Sequence, residues 1–285
     1  MKRLLVGSIA GLHRVDDGGT LIGGRAITAL AGGWAVVEGR AVWDGQAVVE
    51  EMDGPAATCV LPLGDGALVG TAEGHLVRVP GRHRVDSFEH APDRDRWYTP
   101  WGGPPDVRSL AAAPAGAIFA SVHVGGILRS PDGGDSWEPT LDPDLDVHQV
   151  VAAADGTILA ATAFGLATST DGGRSFSVSD DGLHATYARA VAVAGDTVLL
   201  SVSTGPDGRR AAVYRRPLHG HGPFRRTAIG LPGTLPGNID TFCLVADGDR
   251  AALGTVAGRV YASEDAGATW STIAAGPRVT CLSFS

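Results

Sequence analysis

Ser130-Pro131-Asp132-Gly133-Gly134-Asp135-Ser136-Trp137 returns as Ser169-Thr170-Asp171-Gly172-Gly173-Arg174-Ser175-Phe176 and again as Ser263-Glu264-Asp265-Ala266-Gly267-Ala268-Thr269-Trp270, a turn of the type S-x-D-x-G-x-[ST]-[WF]. Each copy follows a short β-rich run (Gly126-Ile127-Leu128-Arg129, Gly165-Leu166-Ala167-Thr168, Gly258-Arg259-Val260-Tyr261-Ala262) and precedes a polar stretch, the place of a hairpin turn between two strands. In such a turn the carboxylate caps backbone amides, the glycine supplies a left-handed φ, and the closing aromatic packs between neighbouring sheets. The first two copies lie roughly 40 residues apart, a period typical of ring and solenoid architectures, so the repeat, not the length, counts the units.

The composition agrees. Gly, Ala and Val dominate, long charged side chains are few, and almost no run keeps helical periodicity, which favours many short strands and an all-β fold. A net charge of -8 without clustered Lys and Arg argues against a phosphate-dominated nucleic-acid surface. The pairs Arg209-Arg210, Arg215-Arg216 and Arg225-Arg226 read as solvated faces of one blade's outer strands. The three cysteines occupy matching places in apolar runs, Thr58-Cys59-Val60, Phe242-Cys243-Leu244 and Thr280-Cys281-Leu282, and read as buried thiols, not a disulfide framework. The start, Met1 to Leu12, imitates a signal peptide. The same words recur in Leu68-Val69-Gly70-Thr71-Ala72-Glu73-Gly74-His75-Leu76, so Leu4 to Val15 is expected to be a hairpin of the fold. No run of 18 apolar residues occurs, so no membrane span is expected and a cytoplasmic location is the default.

Seven openings set the register. They are Ala26-Ile27-Thr28-Ala29-Leu30, Ala57-Thr58-Cys59-Val60-Leu61, Val107-Arg108-Ser109-Leu110-Ala111, Val147-His148-Gln149-Val150-Val151, Ala188-Arg189-Ala190-Val191-Ala192, Ile239-Asp240-Thr241-Phe242-Cys243 and Val279-Thr280-Cys281-Leu282-Ser283. The last has no second strand after it, while Leu4 to Gly18 reads as second strand, loop, third strand and partial Asp turn with no first strand before it. Pairing residues 279–285 with the N-terminal hairpin removes two exposed edges. The expected fold is a seven-bladed β-propeller of four-stranded blades, residues 1–285 forming a single domain.

At Ser130 to Trp137, Ser169 to Phe176 and Ser263 to Trp270 the chain resembles the bacterial neuraminidase repeat, or Asp-box, superfamily of WD40/YVTN/BNR-like repeat proteins. The resemblance implies a propeller with the box between third and fourth strands, on the face away from function. Copies near Asp17-Gly18-Gly19 and from Pro217 to Phe224 are degenerate, and the blades opening at Ala26 and Ala57 show none. Because the superfamily holds sialidases, xyloglucanase-type endoglucanases, sortilin-like receptors and a photosystem II assembly factor, it implies architecture and leaves activity open.

Candidate chemistry therefore belongs on the opposite face, where the loops between second and third strands and between blades gather. The second residue of each opening lies near it, giving Arg108, His148, Arg189 and Asp240 in four consecutive blades, with Ile27, Thr58 and Thr280 in the others. Ion pairs such as Arg108 or Arg189 with Asp240 are one reading of that cluster. His123 ends a second strand and His184 precedes the strand of Arg189, so His123, His148 and His184 could converge as three ligands of a divalent transition metal, Zn, Cu or Fe. No nucleotide cofactor is expected. His13, His75, His83, His90, His219 and His221 read as ordinary residues of third strands or of turns on the Asp-box face. The longest inter-blade loop, Phe88 to Pro105, carries Trp97, Tyr98 and Trp101 and reads equally as a pocket cover or a plug. The insertion Ile229 to Asn238 is expected on the same rim.

Three functions follow. In a small-molecule enzyme or metal-binding protein, the histidines are ligands or acid/base groups, Arg108, Arg189 and Trp101 hold an anionic substrate, and Tyr187 and Asp240 assist catalysis. In a non-catalytic interaction or assembly scaffold the charged rim docks a protein partner. In a sialidase-like hydrolase only Arg108, Arg189 and Tyr187 could play the required parts, and the sialidases of the superfamily have six blades. Neither nucleic acid nor membrane is expected as a partner.

Overall fold

The computed structural model describes residues 2–220 and 222–285, so the reading of His221 lies outside the described residues. Seven four-stranded antiparallel sheets form the blades of an all-β propeller. Six are continuous in sequence, each running from an inner to an outer strand. The remaining blade is shared between the ends of the chain: Val279–Phe284 pairs antiparallel with Leu4–Ser8, as expected, with Leu4 opposite Phe284 and Val6 opposite Leu282. Aliphatic side chains fill the spaces between blades, among them Leu68, Phe119, Ile127, Ile158 and Leu199, each 0 to 1% exposed. All three cysteines are free and buried. Burial pushes the Cys59 and Cys281 thiols up to about 12, so neither is a nucleophile.

The three aspartate turns are built alike on what we call the lower face. Asp132 accepts from the Ser136 amide at 2.9 Å and the Ser136 hydroxyl at 2.6 Å, and Asp171 repeats this with Ser175 at 3.0 and 2.6 Å. Asp265 does the same with Thr269 at 2.8 and 2.6 Å. The second glycine is required twice over, because Gly173 has φ +81° and a Cβ there would stand 2.2 Å from the buried Phe119 ring. The hydrogen bonds, led by that from the Ser136 or Thr269 hydroxyl, pull the Asp132 and Asp265 carboxyls down to about 2, with Asp171 lower still. Carboxylates with depressed values stabilise the fold above their ordinary range and lose that contribution as pH falls through the depressed value. The melting temperature is therefore expected to fall between pH 4 and pH 2. The triple variant Asp132→Asn, Asp171→Asn, Asp265→Asn should be less stable at pH 7 and respond less to pH in that window, as read by circular dichroism melts.

Two expectations change. Arg216 is not solvated: it is 8% exposed, its guanidinium 4.3 Å from the Phe224 ring centre. Nor is His75 on the lower face, for it lies in the loop before the third strand Leu76–Val79 and pairs with Glu89 at 2.9 Å. No helix among the described residues is long and apolar enough to cross a membrane.

Candidate functional site

The upper face is organised by a repeated backbone irregularity. In six of the seven inner strands the register to the second strand slips by one residue, leaving Thr28, Thr58, Arg108, His148, Arg189 and Thr280 as bulges. A bulge re-aims its side chain and interrupts the ladder. Thr58 donates to the Val107 carbonyl at 2.5 Å, His148 Nδ1 to the Ala188 carbonyl at 2.6 Å, and Thr280 to the Ile27 carbonyl. Each thus clamps the inner strand of the next blade. Arg108 and Arg189, at the same position, make no such bond.

This register corrects two readings. The bulge of the Ala26 blade is Thr28, not Ile27. In the blade opening at Ile239 the inner strand begins only at Leu244, because two extra residues form a turn closed by the Cys243 amide on the Asp240 carbonyl at 2.8 Å. Phe242, at φ +67°, takes the place of the bulge there, and Asp240 sits one position before the turn's Thr241. Phe242 reaches into the central channel, packing against side chains of several other blades. It divides a lower cavity of about 620 Å³ from an upper pocket of about 440 Å³, both of which it lines.

Around the upper pocket the chemistry occupies two positions per strand, the bulge and the residue two before it. The earlier position holds Asp106, Asp146, Tyr187, Asp240 and Arg278 in five consecutive blades. Asp106, Asp146 and Arg278 were missed by inspection of opening strands, although Asp106-Val107-Arg108 and Asp146-Val147-His148 repeat a pattern that could have shown them.

His123 lies between two of these carboxylates, Nδ1 3.1 Å from Asp106 and Nε2 3.3 Å from Asp146. Burial opposes its charge, but the two carboxylates outweigh burial and raise its value. Burial would likewise raise Asp106 and Asp146, yet the imidazoles hold both below the carboxylate range, Asp146 far below. His148 Nε2 stands 3.3 Å from Asp146, out of hydrogen-bond alignment, and burial lowers this histidine. Tyr187 covers it, ring centres 4.7 Å apart, and burial raises the phenol.

The expected ion pair of Arg189 with Asp240 is present at 3.2 Å, and Arg278 approaches the same carboxylate at 3.7 Å. Asp240 is thereby a partner of two guanidiniums. Arg108 has no carboxylate within 4.0 Å among the described residues. Its Nη1 is 3.2 Å from His123 Nδ1, whose own proton is claimed by Asp106, so this contact supplies no anion. Burial first and Arg189 second pull the Arg108 guanidinium below its ordinary value. Counting His123 as charged, four cations face the three carboxylates Asp106, Asp146 and Asp240.

The three-histidine metal centre is not formed. His184 stacks on Tyr214 and bonds its hydroxyl at 2.8 Å, and His148 has spent Nδ1 on a backbone carbonyl. No group of three or more His, Cys, Asp or Glu among the described residues is arranged to hold a metal ion. The long loop resolves into both of its readings. Phe88 and Trp97 are buried against Trp137 and plug the gap between blades, whereas Trp101 is 73% exposed at the tip, its ring edge-on to His123 at 4.8 Å.

No family model matches the chain, and no curated protein matches it. Solved structures share the propeller. A proposed 6-phosphogluconolactonase from Bacteroides uniformis aligns over 100% of this chain and 99% of its own, at 13% identity and TM-score 0.65. YCF48 bound to D1 peptide aligns over 92% and 85%, at 15% identity and TM-score 0.58. An ancestral GH74 enzyme aligns over 60% of this chain at 19% identity and TM-score 0.48, and the chain spans 24% of its length. At these identities the likeness concerns the fold alone.

Proposed function

We propose that the protein binds a small anionic ligand in the upper pocket, on the face opposite the aspartate turns. One observation carries the reading: Arg108 is a half-buried guanidinium without a carboxylate partner within 4.0 Å among the described residues, facing Arg189 across a pocket with a surplus of positive charge. An unpaired, partly desolvated cation costs a fold stability and is offset where a ligand completes it. The planar fork suits a carboxylate, which it grips with two parallel hydrogen bonds. Arg189 and Arg278, tied to Asp240, define the far wall.

Arg108→Gln separates this from a structural role. Titration with malonate and with inorganic phosphate by calorimetry is expected to show at least tenfold weaker binding in the variant, the loss of a charge-assisted bidentate contact. Without ligand the variant should melt no lower than the parent, since a desolvated charge has been removed. Unchanged anion affinity, or a large fall in melting temperature, would count against the site.

A second reading has its own observation. Ile9, Tyr98, Trp101 and Phe164 are exposed on loops of the same face, the kind of side chains that anchor protein interfaces. YCF48, which shares the fold, has been solved with a peptide. In that case the anion is a carboxylate of a polypeptide partner, and the same Arg108 receives it.

A further inference from the structure

The upper pocket has an aromatic floor as well as cationic walls. Phe242 closes it from below and Trp101 lines it at the rim, with Arg108, Arg189 and Arg278 around the sides. Trp101 stands on a loop whose base is fixed by buried Trp97 and by the Thr99 hydroxyl accepting the Gly103 amide at 2.8 Å. At 73% exposure, with a T-shaped contact to His123, most of its indole surface is left in water beside the pocket.

The hydroxyls and carboxylates of the pocket are engaged. Thr58 and Thr280 donate to backbone carbonyls, Thr241 donates to the His148 carbonyl at 3.0 Å, Asp106 is held by His123, and Asp240 is held by two arginines. A polyol needs many free donors and acceptors, and a site that leaves hydroxyls unpaired rejects it. What remains open is donor-only, the guanidinium N–H groups of Arg108, Arg189 and Arg278, beside two aromatic surfaces. Resting on the anion-site reading above, we infer that the ligand is an aryl carboxylate, its carboxylate on Arg108 and its ring between Trp101 and Phe242. A volume of about 440 Å³ lies within the range of small-molecule sites and admits one or two fused rings.

The test compares 2-naphthoate, cyclohexanecarboxylate, gluconate and inorganic phosphate by calorimetry, using the parent, Arg108→Gln, Trp101→Ala and Phe242→Leu. Trp101 is exposed and its removal leaves the core intact; circular dichroism melts verify that Phe242→Leu is folded. Binding of 2-naphthoate is expected to exceed that of gluconate and of phosphate by at least tenfold. Trp101→Ala should weaken naphthoate about tenfold, the scale of one aromatic contact with its buried area, and leave phosphate unchanged. Arg108→Gln should weaken every anion. Gluconate or phosphate binding as tightly as naphthoate, or naphthoate indifferent to Trp101→Ala, overturns the aryl class while leaving the anion site standing. If no anion binds the parent, or none depends on Arg108, the site itself falls and the aryl reading with it.

Discussion

A chain ending at Pro277 is expected not to fold. The strand Val279–Phe284 supplies the inner edge of the blade that Leu4–Ser8 continues, and it buries Val279, Cys281, Leu282 and Phe284 to 9% exposure or less. Burying three large apolar side chains contributes roughly 5 to 9 kcal/mol, comparable to the whole stability of a typical domain. The loss also strips hydrogen bonds from neighbours on both sides. Thr280 clamps the Ile27 carbonyl, and the Leu282 amide donates to the Phe242 carbonyl at 2.8 Å, so two further blades lose support. The shortened chain should show no cooperative melt, and a peptide of residues 276–285 added in trans should restore one by supplying the missing strand. A truncated protein melting cooperatively within a few degrees of the parent would contradict closure by this strand.

Replacing Asp146 is expected to have the second largest effect. Its carboxylate is 3.3 Å from both His123 and His148, whose side chains are 3% and 1% exposed, so Asp146→Ala strands His123 between burial and a single remaining partner. Breaking a buried pair on one side costs about 3 kcal/mol, or roughly 5 to 10 °C of melting temperature for a chain of this size. The pH dependence should change with it. His123 is raised in the folded state, so its contribution is complete below the ordinary histidine value and is lost as pH rises through the raised one. The parent should thus lose stability from about pH 6.5 upward, and Asp146→Asn should show a shallower loss. Melts across pH 6 to 9 measure both slopes; identical slopes would remove Asp146 from the network.

Much of the ring was legible because turns and strand openings are local signals. Asp132, Asp171 and Asp265 declare their turns through contacts no more than four residues away. The site was legible where it follows strand register, which placed Arg108, His148 and Arg189 on one face. Arg189 and Asp240 do meet, though Asp240 arrives from a turn, not a strand. His184 failed because a loop residue has no fixed phase: its ring found Tyr214, thirty positions away, on the outer side of its own blade. Arg108 without a counterion, and Phe242 reaching across the channel, depend on which neighbouring blades leave room, and no single opening strand encodes that.

Phe242 also gives the ring two unlike ends. A propeller bore can be approached from either end, and here one phenyl ring stands between the charged chamber above and the wider cavity below, lining both. Trp101 stands at the rim of the upper chamber. The two chambers are unlike in character: arginines and Asp240 line the upper one, and small aliphatic side chains of the inner strands line most of the lower one.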